Sequence, residues 1–160
     1  MSLKIKPAYD EFDSIVELFT EYTSALKEID PTITLYLGLQ NYDQEIQDLN
    51  EKYGLPKGRL YIAYYENQIA GCIALRQLND TECEMKRLYV KPKFRKHKIG
   101  TKLVETIIKD AKEIGYKAML LDTLPSLVPA IKLYENTGFH YISAYNDSPA
   151  EATIFMKLDL

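Results

Sequence analysis

Apolar residues along this chain switch between a period of two and a period near 3.6, and the switches mark out strands and helices. Leu3 to Lys6 alternates apolar with polar, as a short strand does. Phe12, Ile15, Val16, Phe19, Tyr22 and Leu26 then recur at helical spacing, with Asp10 placed to cap that helix and Asp30-Pro31 to end it. Leu39, Tyr42, Ile46, Leu49 and Tyr53 predict a second helix that stops at Gly54 and Pro56. Leu60 to Tyr65 and Ile69 to Leu75 flank Glu66-Asn67-Gln68 and predict a hairpin. After a turn at Asn79-Asp80, Glu82 to Val90 predicts a third long strand, which Pro92 stops.

The clearest helix is predicted from Gly100 to Ile114, with Leu103, Val104, Ile107, Ile108 and Ala111 on one face and Gly115 closing it. Ala118 to Leu121 suits a buried strand. Ser126 can cap a last helix, with Pro129 in its first turn and Gly138 at its end. Phe139 to Tyr145 and Thr153 to Leu158 predict final strands around Asn146-Asp147-Ser148-Pro149. The order β-α-α-β-β-β-α-β-α-β-β implies an α+β sheet covered by helices, and with no repeat or linker the expectation is one domain over residues 1–160.

Composition narrows the class. At 46% apolar and 27% charged the chain is ordinary for a globular protein, and its apolar runs are too short to span a bilayer. Lys4 and Lys6 interrupt any apolar leader, so no secretory signal is expected. Cys72 and Cys83 make neither a disulfide framework nor a zinc spacing, which predicts a reducing cytoplasm and no metal. A net charge of −3 argues against a general nucleic-acid binder, and no membrane partner is expected. Locally the sign reverses: between Lys86 and Lys98, seven of thirteen residues are Lys or Arg and none is acidic. That segment opens a helix, whose N–H groups and dipole already favour an anion.

Two motifs carry a resemblance. RLYVKPKFRKHKIGTKLVETIIKDAKEIGYKAMLLDT, followed by AIKLYENTGF, resembles the GCN5-related N-acetyltransferases. In that family a strand ends in a Val-x-Pro-like turn, followed by a pyrophosphate loop of the form Arg/Gln-x-x-Gly-x-Gly/Ala and a long helix. Arg95 fills the first loop position and Gly100 the last; Leu133, Tyr134, Gly138 and Phe139 match the later Leu-Tyr-x-x-x-Gly-Phe. The sequence departs from the pattern twice. Lys98 takes the place of the first loop glycine, and Leu127 stands where many members carry an Asn that touches the pantetheine arm.

The resemblance implies a mixed, mostly antiparallel twisted sheet of about seven strands with about four helices and a splayed cleft between the fourth and fifth strands. It also implies transfer of acetyl from acetyl-coenzyme A, as cosubstrate, to a primary amine of a small molecule or peptide. Arg95, Lys96, His97, Lys98, Ile99, Gly100 and Thr101 would hold the pyrophosphate. Backbone N–H groups around Leu88, Tyr89 and Val90 would meet the thioester carbonyl, Glu84 would serve as base, and Tyr134 as the acid that protonates the thiolate. Dimers are common among relatives, so a homodimer is allowed.

Several of these residues also have plainer readings. Strand alternation puts Glu82, Glu84, Lys86 and Leu88 on one face and Cys83, Met85, Arg87 and Tyr89 on the other, so the two carboxylates read either as a cleft for a cationic amine or as solvated edge charges paired with Lys86. Tyr134 reads otherwise as a packing ring. His140, Cys72 and Cys83 read as structural. Asp122 and Thr123 end the fifth strand near the cleft, and Tyr36, Tyr145 and Asn146 fall in segments that line its acceptor side. A non-catalytic acyl-coenzyme A sensor is the alternative function, and a nucleic-acid contact by the lysine-rich loop a third.

Overall fold

The computed structural model of the chain describes residues 2–33, 42–148 and 152–160. Its strands are β1 (Leu3–Pro7), β2 (Arg59–Tyr65), β3 (Gln68–Gln77), β4 (Glu82–Val90), β5 (Ala118–Thr123), β6 (His140–Ile142) and β7 (Ile154–Asp159). The described helices are α1 (Phe12–Ile29), α2 (Tyr42–Gln47), α3 (Leu49–Tyr53), α4 (Ile99–Ile114) and α5 (Val128–Thr137). The seven strands make one sheet in the order β1-β2-β3-β4-β5-β7-β6. All neighbours are antiparallel except β4 and β5. This is the mixed, mostly antiparallel α+β sheet that the sequence predicts.

Alternation on the central strands feeds two cores. Leu60, Ile62, Cys72 and Ala74 pack with Ile15, Leu18 and Phe19 of α1 and with Tyr53 of α3. On the opposite face Ile73, Leu75, Met85 and Met119 pack with Leu103, Val104 and Ile107 of α4. Each fully buried side chain of this size contributes roughly 1.5–3 kcal/mol, so helices clamp the sheet from both sides. Arg59 and Tyr61 of β2 both bond Asp110, tying α4 to the strand beneath it. The hairpin turn has the form expected of a two-residue loop, with Glu66 and Asn67 at φ 50° and 65°.

Four local expectations are corrected. The predicted second helix is broken at Asp48, whose carboxylate accepts the Glu51 N–H at 3.3 Å and starts α3 afresh, so the described helices number five. Asp10 does not cap α1; Glu11 holds that position, and its carboxylate turns instead to Lys6 and Tyr64. Ser126 does not cap α5, because a turn closed by Leu127 N–H on the Leu124 carbonyl delays the helix by one residue. β6 stops at Ile142, well short of Tyr145, and the segment that leaves the sheet runs back to the cleft.

The fourth strand carries the feature that matters most. Cys72 pairs with Tyr89 and Ala74 with Lys86, so Arg87 and Leu88 together oppose Ile73 alone. This is a β-bulge, with Arg87 at φ 60°. Beyond it the alternation reverses. Tyr89 therefore shares the α1 side with Glu84 and Lys86, and Leu88 joins Met85 on the α4 side, correcting the face assignment that simple alternation gives. Arg87 also turns to the α1 side, where its guanidinium forks onto Glu45 at 2.9 and 3.0 Å.

Candidate active site

β4 and β5 pair only through Glu82↔Ala118, Cys83↔Met119 and Glu84↔Leu120. Past that point they diverge, as the splayed cleft requires. Two small adjoining cavities of about 30 and about 40 Å³ lie in the opening and share Tyr22, Arg87, Asp122 and Thr123. The first is also lined by Lys86, Leu88 and Tyr134, and the second by Leu127, Ser148 and Thr153.

One wall comes from α5. Tyr134 is buried, its ring edge-on to Phe139 at 5.8 Å, and burial pushes its hydroxyl well above the usual tyrosine range. It stays protonated at any ordinary pH and so has a proton to donate. The opposite wall is a buried ionic cluster on β4 and its neighbours. Glu84 is 2% exposed; Arg76 Nε donates to one oxygen at 2.7 Å and Tyr145 to the other at 2.5 Å. Burial would raise its carboxyl, but Lys86, Arg76 and the Tyr145 hydrogen bond together hold it below the usual range. Glu84 is therefore neither solvated nor at an edge, and both its oxygens are occupied.

The segment after β6 closes the cleft. Tyr145 packs edge-on to Phe155 while reaching Glu84, and Asn146 donates to Asp122 at 2.8 Å. Thr123 is buried beside them. Sequence reasoning had these residues on the acceptor side, and the fold brings them together; Tyr36 lies outside the described residues. The pairing of Lys86 with Glu84 is there in the sequence reading, whereas Arg76, a member of the same cluster, is not. The missing signal was the cross-strand register, which sets Arg76 opposite Glu84 and which nothing local announces. Other candidates stand apart. Cys72 and Cys83 are buried free thiols in the two cores, and His140 is exposed on β6.

The cationic loop sits at the mouth of the opening. The first helical hydrogen bond of α4 runs from Lys102 N–H to the Lys98 carbonyl, so the N–H groups of Ile99, Gly100 and Thr101 precede the ladder and point out of its end. Lys96, His97 and Lys98 are exposed around them, while Ile99 is buried and offers only its backbone. Arg95 donates to the Val90 carbonyl at 3.1 Å, and His97 stacks on Tyr65 at 4.5 Å. A Cβ on Gly100 would lie 3.5 Å from Leu133 and 3.9 Å from Val90, which packs the helix start against the α5 wall. Among the described residues, no group of three or more His, Cys, Asp or Glu is placed to hold a metal ion, and no helix is long and apolar enough to cross a membrane.

Lys98 adopts the left-handed conformation, φ 59° and ψ 24°, that its place in the loop demands. A non-glycine residue there costs about 1–2 kcal/mol, partly offset by the greater unfolded-state freedom of glycine. Lys98→Gly is expected to raise the melting temperature slightly while weakening diphosphate binding by the ~0.3–1 kcal/mol of one exposed cation. Thermal melts and calorimetry with coenzyme A check the two halves separately.

The comparisons agree with this geometry. The family model described as acetyltransferase (GNAT) family matches residues 12–139. An uncharacterized N-acetyltransferase of Schizosaccharomyces pombe is 36% identical over 161 residues, covering 99% of this chain and 93% of its own. An acetyltransferase structure from Streptococcus agalactiae superposes with a TM-score of 0.79 at 22% identity, covering 99% of this chain and 98% of that one. A GNAT family acetyltransferase from Elizabethkingia anophelis with acetyl-CoA bound superposes at 0.58 with 26% identity, over 76% of this chain and 82% of that one. With its cationic helix start and its parted parallel strands, the chain belongs to the GNAT acetyltransferase family.

Proposed function

We propose that residues 1–160 form a single acetyl-coenzyme A-dependent N-acetyltransferase domain that moves acetyl to a primary amine of a small molecule or peptide by direct attack on the thioester. The observation that carries this reading is the parting of β4 from β5 beyond Glu84 and Leu120, which opens a donor-bearing strand edge beside Tyr134 and within reach of the α4 loop. The Elizabethkingia anophelis neighbour carries acetyl-CoA, and the residues here suit the same cosubstrate. The N–H groups of Ile99 to Thr101, with Lys96, His97 and Lys98, hold the diphosphate.

N–H groups in Leu88 to Val90 bond the carbonyl oxygen as it gains charge, a contribution worth roughly 10²–10³ in rate per donor. The acceptor nitrogen forms its bond to the carbonyl carbon as the carbon–sulfur bond breaks. Tyr134 gives its proton to the departing sulfur and regains one from the nitrogen, so its raised affinity for protons suits a relay. Glu84 keeps Tyr145 and Arg76 in place and carries negative charge toward a cationic acceptor. The two unpaired thiols, Cys72 and Cys83, fit a reducing cytoplasm.

A panel of primary amines with acetyl-coenzyme A, followed by release of free thiol, tests this. Turnover of at least one amine is expected. Tight coenzyme A binding with no turnover on the whole panel would instead favour the acyl-coenzyme A sensor.

A further inference from the structure

We propose that Lys86 is the group that takes the proton from the incoming acceptor ammonium, so that the amine attacks the thioester as a neutral nucleophile. This rests on the acetyl-transfer reading and assigns its missing base. Lys86 lines the same small cavity as Tyr134 and Leu88, one residue before the bulge, so base and acid face each other across the point where the thioester would lie. Its side chain is 5% exposed, and its only ion-pair contact among the described residues is Glu84 Oε1 at 3.7 Å, beyond hydrogen-bonding reach. That oxygen already accepts from Arg76 at 2.7 Å. A buried ammonium whose ion-pair partner is held 3.7 Å away is disfavoured, whereas a buried neutral amine is tolerable.

The surroundings push the same way. Cations face Lys86 from its own strand (Arg87) and from α3 (Lys52), against the carboxylates of Glu84 and Asp122, which favour its charged form. The carboxylates are committed elsewhere: Glu45 of α2 to Arg87 and Lys52, Glu84 to Arg76 and Tyr145, and Asp122 of β5 accepts from Asn146. The phenols that line the same cavity, Tyr22 of α1 and Tyr134 of α5, are both raised by burial and stay neutral. Burial first, and Arg87 second, bring Lys86 down from the ordinary lysine value to about 7. Glu84, held below the usual carboxyl range, is the poorer base.

In the step, Lys86 Nζ accepts one proton from the acceptor ammonium and later releases it to water. The freed amine forms the carbon–nitrogen bond, the carbon–sulfur bond breaks, and the second nitrogen proton reaches the sulfur through Tyr134. One ammonium and one thioester give one amide, one thiol and one proton.

Three measurements on the full chain test this: kcat/KM against pH for wild type, Lys86→Met and Lys86→Arg; coenzyme A calorimetry; and NMR titration of the Lys86 side chain. The wild type is expected to show an acid limb inflecting near neutrality, matched by the NMR titration. Both variants are expected to lose about 100-fold or more at pH 7, with the inflection gone and coenzyme A affinity retained. The arginine variant is decisive, since it keeps the charge but cannot accept a proton. Wild-type rates in Lys86→Arg, an unchanged acid limb in Lys86→Met, or titration near ~10.4 each overturn the Lys86 role alone. A wild type inert on every amine overturns acetyl transfer, and this role falls with it.

Discussion

Replacing Tyr134 with phenylalanine is expected to lower kcat by about 10²-fold or more while leaving coenzyme A affinity nearly intact. The asymmetry follows from where the hydroxyl sits. Its ring packs on Phe139 in the core, and phenylalanine preserves that contact. Tyr134 lines the cavity shared with Lys86 and Leu88, whereas the cationic loop that would grip the diphosphate leads into the start of α4. An interaction made only as the carbon–sulfur bond breaks lowers kcat and kcat/KM equally, without changing cofactor binding. Steady-state kinetics with thiol detection, beside calorimetry, check the pair. Equal losses in both, or no loss in either, would remove Tyr134 from the chemistry.

Glu45→Ala is expected to destabilise the fold by about 3–5 kcal/mol, because the buried Arg87 guanidinium would lose both hydrogen bonds of its fork. Both guanidinium hydrogen bonds of the fork end on Glu45, and Lys52 adds a third at 2.7 Å. For a chain of this length, that corresponds to a fall in Tm of roughly 6–20 °C. The pH dependence has a definite sign. Burial alone would raise the Glu45 carboxyl, yet Arg87 and Lys52 bring it down to about 2 from an unfolded value of 4.5. Between those values the unfolded chain binds more protons, so this contribution is complete above pH 4.5 and fades as pH falls toward 2. The gap in Tm between wild type and Glu45→Ala is accordingly widest near neutrality and narrows in acid. A gap that stays constant from pH 7 to pH 3 would show that the carboxylate is not what holds Arg87.

The elements that show plainly in the sequence are the long ones with clear stops. β4 runs from Glu82 to Val90 as expected in its bounds, though not in its faces, and α4 differs by one residue at its start. Periodicity says little about where local hydrogen bonds interrupt a run. Asp48 broke a helix that its apolar spacing describes as continuous, because one side-chain cap there satisfies the Glu51 N–H. The site divides the same way. Tyr134 and the loop were legible through local motifs, since their neighbours in space are also neighbours in sequence. Lys86 was not, because its burial and the nearness of Lys52 and Asp122 come only with the folded sheet, although Arg87 and Glu84 adjoin it in the chain. Tyr145 and Asn146 were placed on the right side, but their partners Glu84 and Asp122 lie 61 and 24 residues away and could not be read from the chain.

The bulge at Arg87 makes β4 a strand read in two frames. Closing the bulge with every residue kept, by a one-residue slip against β3, would continue one frame throughout, rotating Leu88 toward α1 and the Tyr89 ring toward α4 without altering any amino acid. Lys86 would keep its orientation, yet the strand edge that follows it would present a different set of atoms to an incoming molecule. The register of β4 against β3, as much as residue choice, thus sets which groups can meet in the opening.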